Sequence, residues 1–222
     1  MPYRRLPAWV LGFHGTDEET VGSILIDPQK CLSPSRNDYD WLGDGIYFWE
    51  NDPVRARSYI EEKCARNKLT AEKAGLQYEA KKPAVIGAVI DLGLCLNLFD
   101  QTALVELAAA HNSYQRTMEK NHLELPMNKG GSDRLQRFLD RAVFEWLHML
   151  RGWSPESTPS YDTIRSGFHE GGPVYPGAGF QAKNHIQIAV RQPACIKGFF
   201  LPRGLEVAYP RGYPLRDESF NR

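Results

Sequence analysis

The chain has 222 residues, enough for one domain with a sizeable core and too few for two full ones. Its 27 lysines and arginines balance 27 aspartates and glutamates, so no global field selects a nucleic acid or a membrane surface, although a local basic groove stays open. Cysteines 31, 64, 95 and 195 form no Cys-x-x-Cys pair and no cluster with the six histidines, and no apolar run reaches the roughly 18 residues of a membrane span. The expectation is a soluble, cytoplasmic protein with reduced thiols, no metal and no membrane partner.

Ala8 to Phe13 is a short apolar run that predicts a buried strand delivering His14-Gly15-Thr16 at its end. Thr16 or Asp17 then caps a helix through Ile26, with Glu18 and Glu19 suited to the first turn of the helix dipole, and Asp27-Pro28 stops it. From Ser33 to Asp44 proline, serine, asparagine and aspartate predict a long loop. The loop feeds Gly43-Asp44-Gly45 and then Ile46-Tyr47-Phe48-Trp49, a tight turn entering a strand with Ile46 and Phe48 on one face and Tyr47 and Trp49 on the other. Asp52-Pro53 is a strong helix start, with Asp52 as N-cap and proline at N1, and the helix is expected to run to about Arg66.

Residues 67–82 read equally as a helical extension or an excursion. Ala84 to Leu92 is apolar on both alternating faces and predicts a central strand. Asp100 caps a short helix containing Leu104, Leu107 and Ala108, and His111 to Gly131 reads as a polar connector. The recurrence of Leu135, Phe138, Leu139, Ala142, Val143, Trp146, Leu147 and Leu150 predicts a helix over Ser132 to Leu150, ended by Arg151-Gly152. Ser154 to Ser160 reads as loop, and the glycines and prolines at 171–179 as a second irregular stretch. Ile186 to Val190 and Cys195 to Leu201 predict strands joined by a turn at Gln192-Pro193, with a loosely ordered tail beyond Pro202.

At the end of the first strand an imidazole, a bare backbone and a hydroxyl stand side by side in His14, Gly15 and Thr16. That set suits holding an amide on the main chain while the imidazole bonds a sugar hydroxyl; a histidine satisfied within its own turn is the plainer alternative. Together with Gly43-Asp44-Gly45-Ile46-Tyr47-Phe48, the pattern resembles the ADP-ribosyltransferase superfamily, in the branch of the poly(ADP-ribose) polymerases and diphtheria toxin. The resemblance implies an α+β fold with a split, mostly antiparallel sheet and flanking helices around a cleft for NAD, which is consumed as a substrate without a metal. It implies that His14 bonds the adenosine ribose, that Gly15 backbone groups hold the nicotinamide amide, that Thr16 is among the NAD-binding residues, and that Tyr47 stacks on nicotinamide. Tyr59 is placed like the family's second stacking tyrosine or is an ordinary core aromatic, and the Ser33–Asp44 loop is similar to the loop that closes over NAD.

Where the family carries a catalytic glutamate, the strand Ile186 to Val190 offers Gln187 beside His185 and no carboxylate. Glutamine can bond a ribose hydroxyl but cannot offset a developing cation or take a proton. The resemblance therefore implies mono-ADP-ribosyl transfer to a macromolecular acceptor, protein or nucleic acid, with Gln187, Tyr47 and His14 as the catalytic set. Glu170, Asp38, Asp40 or Asp44 is either the missing base or a loop solvator, with Asp44 also counted among the NAD-binding residues. Lys129, Arg134, Arg137 and Arg141 either flank an acceptor groove or form a solvated helix face. Trp41 to Glu50, Ala88 to Gly93 and His185 to Ile188 resemble a group of uncharacterised bacterial proteins, some from toxin–antitoxin or phage-defence loci, which implies a toxin with an antitoxin partner. A catalytically silent NAD or ADP-ribose binding module and an NAD glycohydrolase are the alternatives.

Overall fold

The computed structural model describes residues 8–131, 135–153 and 159–204. In chain order they form β1 (Trp9–Asp17), α1 (Glu18–Ile26), β2 (Ile46–Glu50), α2 (Pro53–Lys73), β3 (Pro83–Asp91), β4 (Cys95–Asn97), α3 (Gln101–Lys120), α4 (Phe138–Trp153), β5 (Thr163–Phe168), β6 (His185–Val190) and, after a short 3-10 turn, β7 (Ile196–Phe200). The architecture is mixed α/β: one open sheet ordered β4-β5-β6-β2-β1-β3-β7, antiparallel except for the β4–β5 pair. No helix among the described residues is long and apolar enough to cross a membrane.

The pleat of β2 divides the core as its alternation demands. Ile46 and Phe48 pack with Ile86, Ile90, Ile188 and Val190 beneath Val21 and Ile24 of α1. On the other face Trp49 and Phe13 lie with Val85 under Ala56 of α2, while Tyr47 joins Ala189, Ile164, Val143, Phe144 and Leu147 under α4. Burying these aliphatic and aromatic side chains contributes about 1.5–3 kcal/mol each and is what holds the helices on the sheet.

Several boundaries differ from expectation, each for a local reason. β1 continues to Asp17 because it pairs with β3 from Trp9↔Asp91 to Asp17↔Pro83, so His14 lies inside the strand and not at its end. Asp17 caps α1 by accepting from the Thr20 amide, and Asp52 caps α2 by accepting from the Arg55 amide. α2 passes Arg66 to Lys73, since nothing between breaks a helix until Gly75, whose φ is +68°. α3 takes in His111 to Lys120, expected as connector, because Tyr114 packs on Trp146 at 5.4 Å and Ser113 Oγ accepts from the Trp146 indole.

α4 begins at Phe138 and not at Ser132. Gln136 is instead bonded to Lys129 through both main-chain groups, and the Asn128 side-chain oxygen accepts from the amides of Leu139 and Asp140 in place of a cap. Ser132 and Arg134, most of the 154–160 loop and the tail beyond Gly204 lie outside the described residues. β5 is a strand that no alternation announces; it sits between β4 and β6 and pairs with both.

One buried polar group gives the fold a pH dependence. His148 of α4 is 6% exposed, and neither ring nitrogen has a hydrogen-bond partner among the described residues. Burial, and then the charge of Arg191, push its pKa down to about 4. A depressed histidine leaves stability intact above the unfolded value near 6.5 and loses it as pH falls towards the folded value, because the unfolded chain binds the proton first. Urea melts at pH 7 and pH 5 are expected to show wild type losing about 2 kcal/mol more than His148→Leu over that interval, and equal losses would contradict it.

Candidate active site

The sheet parts between β1 and β2. They are paired only at Gly12↔Glu50 and Phe13↔Trp49, with the Asn51 amide donating to the Leu11 carbonyl at 2.9 Å. Beyond Phe13, β1 stays with β3, whereas β2 stays with β6 from Trp49↔Gln187 to Ile46↔Val190. Main-chain groups of an antiparallel strand face alternate edges. Because Leu11 bonds towards β2, Gly15, four residues on, turns its N–H and C=O to the edge that β2 has left.

The imidazole of His14 bridges the opening. Its Nδ1 lies 2.7 Å from the Tyr47 carbonyl, and a carbonyl only accepts, so Nδ1 carries the proton and Nε2 keeps its lone pair. Burial lowers the pKa of His14 against the opposing effect of that bond, and the charge of Lys63 lowers it further. The ring is therefore neutral at pH 7 and offers an acceptor at Nε2.

His14, Gly15 and Thr16 line one cavity of about 350 Å³, closed by Ile60, Lys63, Cys64 and Asn67 of α2 and by Tyr78, Glu79 and Lys81. Gly15 is required there by α2 itself: a Cβ would stand 2.4 Å from the Ala56 carbonyl oxygen. Of the two lysines, Lys81 is 3.4 Å from Asp17, and Lys63 has no ion-pair partner among the described residues.

Tyr47 does not line this cavity. Its hydroxyl donates to the Gly43 carbonyl at 2.7 Å and accepts from the Leu42 amide at 2.8 Å, and burial raises its pKa far above the ordinary phenol value. Tyr59 reaches Trp49, with ring centroids 4.8 Å apart, and no ring contact joins Tyr59 to Tyr47 among the described residues. The indole of Trp49 thus packs on Tyr59 at an interplanar angle of 44°.

Gln187 is buried on the face shared with Tyr47 and Trp49, opposite Trp49 on one side and Ser166 of β5 on the other. Of the four carboxylates considered as a base, Glu170 is the one found beside this strand: it pairs with Arg55 at 2.5 Å and lies 3.7 Å from Nδ1 of His185. Asp40 accepts from Asn37, and Asp38 is exposed. Asp44 bonds Arg141 at 2.9 Å, so its carboxylate is a latch.

That latch belongs to a larger clamp. Arg191, just past β6, forks onto both oxygens of Glu145 at 2.6 and 3.0 Å and reaches the Asp44 carbonyl, while Glu145 accepts from the Asp44 amide. Burial alone would raise the pKa of Glu145, but Arg191 and the Asp44 amide outweigh it and leave it lowered. Gly43 has φ +76° and no room for a Cβ, which would stand 2.6 Å from the Glu145 carboxylate. Arg137 lies over the rings of Trp41 and Phe168, and Lys129 over Phe138, so these cations hold the loop and α4 rather than form a free groove.

Sequence reasoning missed Arg55, Glu145, Arg191 and the part Trp49 plays. Arg55 offered one signal, its place one turn into the helix that also carries Tyr59. Glu145 and Arg191 are 46 residues apart and offered none.

No protein-family model matches the chain, and no solved structure matches it. An uncharacterized protein of Methanocaldococcus jannaschii is 45% identical over 40 residues, a stretch that covers 18% of this chain and 18% of that protein. Among the described residues no three His, Cys, Asp or Glu side chains gather as a metal site requires.

Arg191→Ala is expected to destabilise the fold by about 2 kcal/mol through loss of charged hydrogen bonds, and Glu145→Ala by a similar amount. In a double-mutant cycle by urea melts the two losses should be clearly less than additive; simple additivity would mean that the clamp is not one unit.

Proposed function

We propose that the protein is a mono-ADP-ribosyltransferase that moves ADP-ribose from NAD to a macromolecular acceptor. The observation that carries the reading is the edge of β1 at Gly15, unpaired among the described residues, next to a neutral His14 whose Nε2 bonds none of them. A carboxamide needs one acceptor and one donor in the plane of its own N–H and C=O, and the two main-chain groups of Gly15 supply that pair. Nε2 of His14 accepts a ribose hydroxyl, Thr16 adds a hydroxyl, and Lys63 offsets diphosphate charge from the far wall of the same cavity.

The chemistry asks for positioning more than for a strong base. The bond between C1′ of the ribose and the pyridinium nitrogen breaks with its electron pair leaving on nicotinamide, which departs neutral. A heteroatom of the acceptor gives its lone pair to C1′ and releases its proton, so nothing is oxidised or reduced. Gln187 bonds a ribose hydroxyl and steadies the sugar as it flattens towards an oxocarbenium ion, without a charge to offer it. That favours a slow, single transfer over polymer synthesis.

A second reading, a binding module without turnover, is favoured by two observations: β6 carries no carboxylate, and the Tyr47 hydroxyl is already committed to the turn at Leu42 and Gly43. The toxin role and an antitoxin partner rest on the resemblance of three strings alone.

Calorimetry with NAD is expected to show binding that His14→Ala weakens by about tenfold, near 1.4 kcal/mol. Affinity should be level from neutral pH down past 6.5 and fall only at lower pH, because burial holds the pKa of the ring below its ordinary value; no uptake of NAD by the wild type would end the proposal. With labelled NAD and cell extract, label on a macromolecule supports transfer, free ADP-ribose supports hydrolysis, and binding without either supports the silent module. Gln187→Glu is expected to raise the rate of nicotinamide release; an unchanged rate would place residue 187 away from the ribose.

A further inference from the structure

A larger cavity, about 550 Å³, opens between α3, α4 and the end of β5. Leu104, Leu107, Val143 and Phe144 make apolar walls, and Trp41 and Phe168 stand with ring centroids 4.6 Å apart at one end. Arg137 lines the same space, lies 4.8 Å over the Trp41 ring, and keeps its Nε buried with no hydrogen-bond partner among the described residues. His111, Ser166 and His169 bring donors and acceptors to it, while Asp140 on the same wall already accepts from Arg137 and Asn128.

These walls select a chemistry. A purely aliphatic ligand would strand the polar groups, at about 1–3 kcal/mol for each one left unmatched, and a sugar would waste the leucines and rings. A phenol has one polar atom at one end. A flat heteroaromatic ring with donors and acceptors along its edges satisfies both sets, stacking on aromatic or guanidinium planes and bonding at its rim, and that is a nucleobase.

Position ties the cavity to the reaction. Ser166, on its wall, is the cross-strand partner of Gln187, and the Phe168 ring lies 5.7 Å from His185 on the same strand. We infer that this cavity seats the acceptor and that the acceptor is a nucleobase, either of a free nucleoside or of a single-stranded nucleic acid; the acceptor role rests on the ADP-ribosyl transfer proposed above. A ring or exocyclic atom of the base forms the new bond to C1′ as nicotinamide leaves with the old electron pair, and the acceptor's proton passes to water.

The test is calorimetry on the full chain with the common nucleosides, with short single-stranded RNA and DNA, and with N-acetyltyrosinamide, each with and without NAD. Expected are nucleoside binding that persists at saturating NAD, and loss of about tenfold or more in Ala108→Trp or Leu104→Trp, which fill the cavity from exposed positions on α3. Circular dichroism and an unchanged melting temperature qualify whichever variant is used. Nuclear Overhauser contacts from base protons to leucine methyls of the wild type give a second readout that needs no variant. Tighter binding of an oligonucleotide than of its nucleosides assigns the source as a nucleic acid, and equal binding assigns a free nucleoside. Overturning results are no binding of any base, binding indifferent to the filled cavity and without methyl contacts, preference for the tyrosine analogue, or displacement by NAD. Base binding by a chain that takes up no NAD keeps the pocket assigned but ends its role as acceptor site.

Discussion

The separation of β1 from β2 after two residue pairs is the constraint on which the site depends. Had the ladder continued, the main-chain groups of Gly15 would be spent on β2 and no edge would be left to grip an amide. Leaving strand groups unpaired at a partly buried edge costs stability, so something must hold the strands apart at a fixed distance. Full pairing of β1 with β3 and of β2 with β6 fixes each strand from its outer side. The His14 bond to the Tyr47 carbonyl spans the gap at its apex and sets the tautomer that leaves Nε2 open.

A second set of contacts fixes what lies over the far side of β2. Glu145 of α4 and Arg191 beyond β6 meet at Asp44, so the turn into β2, the amphipathic helix and the end of the catalytic-candidate strand are joined at one point. The Tyr47 hydroxyl closes the same turn from beneath. The loop that enters β2 is thereby bound to the helix that walls the larger cavity.

Much of this was legible where local chemistry decides structure. Asp52-Pro53 announced α2, Gly43-Asp44-Gly45 before a run of β-formers announced β2, and the helical recurrence of apolar residues announced α4. What escaped was decided at a distance. The run His111 to Lys120 looks like connector until Tyr114 meets Trp146; β5, with Arg165, Ser166 and Gly167 in its middle, becomes a strand because β4 and β6 flank it and Arg165 reaches Glu50. At the site, the grouping of His14, Gly15 and Thr16 on one cavity followed the sequence reading. The indole of Trp49 against Tyr59 did not, because alternation fixes which face a side chain takes but not which ring it touches there.

The proposed transfer requires His14 to Thr16 of β1 and the residues of α2 that face them to grip one dinucleotide. A crystal structure of the full chain grown with NAD decides whether they do. Expected is a ribose hydroxyl bonded to Nε2 of His14 and the nicotinamide amide bonded to the main chain of Gly15. A dinucleotide bound elsewhere, or a saturated crystal in which Gly15 meets no ligand, would contradict it.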